Sequence, residues 1–376
     1  TEEAYRLAFS ATIFHWGLSG WSVYAIIGLA LAFFSYNWKL PLTIRSIFYP
    51  LLGNRIWGWQ GDLIDIIAVL ATLFGLATSL GLGAQQASAG LLYIFELPNN
   101  ILSQSLIIIF ITSVAIFSVY RGLDRGVRVL SNINIGLALI LLTFVVIAGP
   151  TVKILLSYGD NLVNYFQDIV RLSNWNRPDD EAWYHDWTIF YWAWWIAFAP
   201  FVGLFLARVS RGRTIREYVI GAMIIPSLIC LVWFTFIGAT AIDLELSGVA
   251  QGSIVNADIS AQLFKTINLI LSPELAVALS VVIVVLLLTF LVTSADSGIL
   301  IINTLASGGN QSQKQAKHVV IWGVLFSVLI GVLLAAGGMD ALRSVMIIGA
   351  LPFSIVMALM AISLVKTLLN EHQSSD

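Results

Sequence analysis

Between Leu275 and Leu305 the only charged residue is Asp296. A run so long and so apolar has no stable place in water. It satisfies its own backbone groups as a helix crossing a bilayer, for which about 20 residues suffice. Comparable runs lie at 13–36, 63–94, 104–121, 129–150, 187–208, 215–239, 275–306, 317–337 and 342–368. Barrel strands would be runs of about ten residues with alternating polarity, and these runs are longer and continuous. The chain is therefore expected to be an all-α integral membrane protein with about nine transmembrane helices. Its composition agrees: 11% of residues are charged, against about 25% in soluble domains.

Charge between the runs orients them, because cytoplasmic loops carry the excess of Lys and Arg. The segment 37–62 holds Lys39, Arg45 and Arg55. Segment 121–128 holds Arg121, Arg125 and Arg128 against Asp124, segment 208–217 holds four arginines, and 307–318 holds Lys314 and Lys317. The alternate segments are neutral or acidic, with Glu96, then Asp179, Asp180 and Glu181, then Asp243 and Glu245. Every second loop is basic, which predicts a multi-pass protein of the inner or plasma membrane with a cytoplasmic C-terminus and an external N-terminus. An external start at Thr1 without a signal-peptide pattern reads as an N-terminally truncated fragment. Residues 158–173 read as an interfacial helix with Leu162, Tyr165, Phe166 and Ile169 on one face and acids on the other. Residues 246–262 read as an external loop. The net charge of −2 offers no basic surface to nucleic acid, and the single Cys230 cannot form an intramolecular disulfide.

The run Phe190-Tyr191-Trp192-Ala193-Trp194-Trp195 lies within a predicted span. Indoles normally gather at the bilayer edges, where the ring is apolar and the N–H reaches water. At mid-span they suit a ligand that seeks a π-face, such as a quaternary ammonium group, which has methyls where other cations have N–H donors. A second group, Trp16, Trp21 and Tyr24, lies in the first run, with Gly17 and Gly20 between. Trp21 and Tyr24 share a helix face. Trp194 and Trp195 stand one turn before Phe198, and Pro200 is expected to kink the helix beside them. Two aromatic groups on two helices can close a box around a methylated cation; packing and interfacial anchoring are the alternative.

Thr293, Ser294 and Asp296 end the long apolar run. Hydroxyls and carbonyls inside a span can hold a dehydrated sodium ion, although helical Ser and Thr also bond the preceding turn. An ionisable group such as Asp296 is usually functional there; attraction of sodium, a proton site and an interhelical hydrogen bond all fit it. The small residues of 75–90, including Gly75, Gly83 and Gly90, read as helix-packing positions. No HExxH, GxSxG or phosphate-binding glycine loop is present, so an enzyme is not expected.

Residues 187–218, WTIFYWAWWIAFAPFVGLFLARVSRGRTIREY, closely resemble the signature of the betaine/carnitine/choline transporters. FHWGLSGWSVYAIIGLALAF (14–33), LIDIIAVLATLFGLATSLGLGAQQ (63–86) and TSADSG (293–298) resemble that family in the same order. The resemblance implies a leucine-transporter-like fold of two inverted five-helix repeats. Residues 13–150 would be the remainder of repeat one, lacking its first helix, 187–368 repeat two, and 151–186 an external interfacial segment. It implies that Trp16, Trp21, Tyr24 and Trp195 form the box, with Phe190 and Trp194 flanking it and Phe198 where some members carry another Trp. The Phe290 carbonyl, Thr293 and Ser294 would bind sodium. Thr72 and Phe201 fit a second, weaker position, where Leu76 replaces an oxygen-bearing residue. Ile135 stands where a sodium-independent exchanger has an arginine. The implied function is import of an onium osmolyte such as glycine betaine or choline by alternating access, in osmoprotection. Sodium symport is favoured over proton coupling or carnitine-type exchange. No cofactor is implied beyond the coupling ion; the partners are the substrate, the bilayer and, as family members are often trimers, two further copies of the chain. A membrane sensor or channel that binds cations without coupled transport is the reading from a different class.

Overall fold

The computed structural model describes residues 2–121, 124–176, 180–308 and 316–373. Of the loop charges used above to orient the spans, Asp179, Lys314 and the side chains of Arg121, Asp124 and Arg125 lie outside the described set. The described residues form helices without strands. The principal helices are α1 (Glu2–Trp16), α2 (Leu18–Tyr36), α3 (Trp59–Phe95), α4 (Ile101–Arg121), α5 (Asp124–Ala148), α6 (Thr151–Ser173), α7 (Phe190–Val209), α8 (Ile225–Leu246), α9 (Gln262–Ile270), α10 (Pro273–Ala306) and α11 (Ala316–Gln373).

Among the described residues, eight helical stretches are long and apolar enough to cross a membrane. The eighth, Lys317–Glu371, contains two of the nine expected runs. Between them Gly337 and Gly338 leave helical geometry, Gly338 with φ of +58°, a conformation that glycine adopts without a Cβ clash. The first run starts earlier than expected. Helix α1 begins at Glu2 and is separated from α2 at Gly17. Its charged start hides it from a hydropathy reading, but Arg6 is partnered: its Nη2 donates to Asp168 at 2.9 Å.

The chain divides into two compact units, each drawn from three stretches of sequence. One comprises residues 1–17, 80–179 and 227–295. Its core gathers Leu141 and Val145 of α5, Phe264 and Ile267 of α9, and Leu279, Ile283 and Val284 of α10. Helix α3 joins it at Gly90, where an added Cβ would lie 2.4 Å from Val284 and 2.6 Å from Phe264. Helix α6 splits the expected apolar face, with Tyr165 buried and Phe166 exposed. Its buried stripe is Ile154, Asn161, Tyr165, Asp168 and Leu172, while Val152, Leu156, Phe166 and Val170 are exposed. Asp168 faces inward because Arg6 and the Ser10 hydroxyl, 3.0 Å away, both donate to its carboxylate. The apolar residues face out because the medium outside a membrane protein is itself apolar. Residues 246–262 form the expected loop, organised by Glu245, whose carboxylate accepts from the N–H groups of Gly252, Ile254 and Val255 at 2.8–2.9 Å.

The other unit comprises residues 18–79, 180–226 and 296–376. Helices α2 and α7 meet where neither has a side chain. A Cβ on Gly28 would lie 3.0 Å from the Gly203 carbonyl, and one on Gly203 would lie 2.6 Å from Ile27 Cγ2. The Tyr36 hydroxyl donates to the Ala207 carbonyl at 3.0 Å further along the same pair. Residue 28 beside 203 and 36 beside 207 mean that the two helices run in the same sense, as the alternating loop charges require. Ahead of α3, Arg45 donates from its backbone N–H and Nε to Asp65, at 3.0 and 2.5 Å, and from Nη2 to Asp62 at 2.7 Å. Burial pulls the Arg45 pKa down, but the two carboxylates outweigh it and the net shift is upward.

Gly203→Val is expected to lower stability by about 1–3 kcal/mol through overpacking. Gly136→Ala, with nothing within 4 Å of the added Cβ, should be neutral or slightly stabilising. Thermal unfolding of the two purified variants in one detergent checks both.

Candidate functional site: an aromatic corner on α2 and α7

Trp21, Tyr24 and Gly28 recur along one face of α2, and Trp195, Ala199 and Gly203 along one face of α7. The glycines set the approach of the helices, and the large rings meet one to two turns away. Ring centroids lie 5.7 Å apart for Trp21 and Tyr24, 5.4 Å for Trp21 and Trp195, and 4.6 Å for Tyr24 and Trp195, with interplanar angles of 86°, 66° and 53°. Three mutually inclined faces make a corner. Edge-to-face pairs are stable on their own, and the faces not used in those contacts are where a cation within about 6 Å of each centroid is attracted. Tyr24 and Trp195 are buried. The Nε1–H of Trp21 is buried and has no hydrogen-bond partner among the described residues. A buried donor left unmet costs about 1–3 kcal/mol, which a ligand acceptor would recover.

The corner is buttressed from outside. The Tyr218 hydroxyl donates to the Ala25 carbonyl at 2.9 Å, and Ala25, Tyr218 and Ala222 form a small buried cluster. Tyr218, the last residue of the stretch 187–218 that carries the resemblance, is not among the sequence candidates. It enters through the capping box that starts Ile215–Val219, in which Thr214 and Glu217 bond reciprocally.

The remaining aromatic candidates fall on a second stripe of α7. Tyr191 and Trp194 stack at 6.4 Å with planes 3° apart, Trp194 and Phe198 are 6.4 Å apart, and Phe198 and Phe201 5.9 Å. Phe190 packs on Trp194 at 5.5 Å and lies under the guanidinium of Arg343, 4.9 Å from its ring centroid. Arg343 is also absent from the sequence candidates; an arginine at the start of the last apolar run, 342–368, is the signal that points to it. Pro200 lies inside α7, and the helix is not interrupted there. The irregular turn is instead the π-helical segment Tyr184–Ile189 that precedes it.

Trp16 belongs to the first unit, at the end of α1, with its ring 5.2 Å from Phe234. Phe290, Thr293 and Ser294 lie on one turn of α10 in that unit. The Thr293 hydroxyl donates to the Phe290 carbonyl at 2.9 Å and to the Thr289 carbonyl at 3.1 Å. Its proton is thereby committed, and its lone pairs remain for a cation. Thr72 and Phe201 belong to the second unit. Thr72 is fully buried, its hydroxyl donating to the Ala68 carbonyl at 2.9 Å. One turn on, Leu76 fills the space over Gly298, where an added Cβ would lie 2.4 Å from Leu76 Cδ1. Asp296 is buried in α10.

Residues 1–373 match the model of the betaine/carnitine/choline family transporter. A glycine betaine/proline/choline transporter of Vibrio parahaemolyticus is 44% identical over 375 residues, covering 100% of this chain and 67% of that protein. A glycine betaine/proline/choline/ectoine transporter of the same organism is 45% identical over 373 residues, covering 98% and 66%. The glycine betaine transporter OpuD of Bacillus subtilis is 40% identical over 376 residues, covering 99% and 72%. The chain thus spans about two thirds of the length of these relatives.

Tyr218→Phe removes the donor that holds Ala25 while keeping the ring. It is expected to cost about 0.5–1.5 kcal/mol, the net worth of one hydrogen bond, because the Ala25 carbonyl keeps its bond within α2. Chemical unfolding followed by tryptophan fluorescence would show it as an earlier midpoint with an unchanged slope.

Proposed function

The chain belongs to the betaine/carnitine/choline family of transporters, and we propose that it forms the onium-binding part of a secondary active importer of glycine betaine, choline or a related osmolyte. The observation that carries this reading is the corner of Trp21, Tyr24 and Trp195. A quaternary ammonium cannot donate hydrogen bonds, so a site for it is best walled by π-faces, which attract the charge without demanding N–H groups. The partnerless Nε1–H of Trp21 suits the acceptor end of such a ligand, a carboxylate in glycine betaine or a hydroxyl in choline. Phe190, Trp194 and Phe198 would line the route to the corner. The names of the relatives support the substrate class.

Transport proceeds by alternating access and is coupled to sodium. The supporting chemistry is the turn Phe290–Ser294, where a hydroxyl with its proton committed and a backbone carbonyl offer lone pairs to a hard cation. The pair Thr72 and Phe201 supports a second ion less well, because buried Leu76 places methyls where a ligand oxygen is needed. Proton coupling is the competing reading, and the burial of Asp296 favours it.

Two comparisons test these readings in cells expressing the full-length protein. Trp195→Leu is expected to reduce uptake of radiolabelled glycine betaine and choline at least about tenfold, while Trp195→Phe retains part of it, since phenyl keeps a π-face. Uptake unchanged by the leucine would remove the corner from the mechanism. Replacing sodium by potassium at fixed pH should abolish accumulation above the external concentration; accumulation that instead follows an imposed pH gradient would assign the coupling to protons.

A further inference from the structure

A cleft of about 370 Å³ opens in the unit built from residues 1–17, 80–179 and 227–295. Its walls include Tyr5, Pro150, Lys153, Ile154, Asp243 and Leu246. Lys153 of α6 and Asp243 of α8 form an ion pair on one wall, and the hydrogen bond to Asp243 and its charge raise the Lys153 pKa. That pairing leaves much unused. An ammonium has three donors, the Lys153 side chain is 73% exposed, and the contact uses only one carboxylate oxygen of Asp243. The Tyr5 hydroxyl accepts from Asn161 Nδ2 at 3.3 Å, which leaves its own proton to donate. The cleft therefore presents two donors suited to an anion and one carboxylate oxygen suited to a cation; the rest of its lining is apolar apart from Ser157, whose hydroxyl donates to the Ile154 carbonyl.

We propose that this cleft binds a zwitterionic phospholipid with a primary ammonium head, phosphatidylethanolamine. The phosphate is held by Lys153 and Tyr5, and the ammonium donates to Asp243. The residues around it favour a lipid over a free osmolyte. Leu246 in the cleft and Val152, Leu155 and Leu156 beside Lys153 on α6 are exposed apolar side chains, a surface for acyl chains and of no use to a small polar solute. Lys153 projects from that apolar face in the manner of an interfacial lysine that keeps its charge at the headgroups. A quaternary choline head lacks the N–H that Asp243 would accept, so the site discriminates between the two common zwitterionic lipids. The site stands independently of which osmolyte the transporter carries.

The test is native mass spectrometry of the full-length protein in mild detergent, titrated with phosphatidylethanolamine, phosphatidylcholine or phosphatidylglycerol. Phosphatidylethanolamine should bind at least about tenfold more tightly than either, because only it completes both charge-assisted contacts. Lys153→Glu should abolish that preference and Lys153→Arg should preserve it. Lys153 is exposed, so both variants should fold, and size-exclusion profiles would verify it. Equal retention of the three lipids, or a preference untouched by Lys153→Glu, would overturn the proposal. So would displacement of the lipid by millimolar glycine betaine, which would identify the free osmolyte as the occupant.

Discussion

The close approach of α2 and α7 at Gly28 and Gly203 is the constraint on which the aromatic corner depends. Side-chain volume at either position would hold the helices apart, since an added Cβ meets Ile27 or the Gly203 carbonyl within 3.0 Å. With backbones in contact, rings one to two turns away are forced together, and Trp21, Tyr24 and Trp195 meet at centroid distances of 4.6–5.7 Å. Small residues thus act at a distance from the chemistry. In a bilayer, where lipid tails compete with side chains for apolar contact, such close packing is a main source of helix association.

The same constraint separates two kinds of aromatic residue on α7. Trp195 shares a face with Ala199 and Gly203 and is drawn into the α2 contact. Trp194 faces another way and joins the stripe of Tyr191, Phe198 and Phe201. Adjacent indoles in one motif therefore have different surroundings, because neighbouring residues on a helix point about 100° apart. Polar anchors fix the arrangement around the corner. Tyr36 ties α2 to α7 through the Ala207 carbonyl, and Tyr218 ties the short helix Ile215–Val219 to α2 through the Ala25 carbonyl.

Much of this is legible in the sequence, and the exceptions have physical causes. The spans are readable because backbone satisfaction in lipid permits helices and little else; helical spacing pairs Trp21 with Tyr24, while Trp195 joins them in the sequence reading only through the family resemblance, which also includes Trp16. Helix α1 is cut short in a hydropathy reading because its charged residues look unfit for a span until Arg6 is seen to neutralise buried Asp168. Helix α6 divides the apolar face that its spacing suggests: Asn161 and Asp168 find polar partners inside and Tyr165 turns inward with them, while Phe166 stays out. Arg343 and Tyr218 act on residues far away in sequence, which no local pattern encodes. The break at Gly337–Gly338 is visible in the sequence as the end of one span and the start of another.

The central claim is that the corner recognises positive charge through its ring faces and does more than fill space. The most direct measurement compares the affinity of the full-length protein for choline with that for its neutral analogue, in which a quaternary carbon replaces the nitrogen. The two ligands have nearly the same shape and the same hydroxyl and differ in charge. A cation–π contact of about 2 kcal/mol in a desolvated site predicts choline binding more than tenfold tighter by calorimetry, with the advantage lost in Trp195→Leu. Equal affinities for the two ligands would contradict the account.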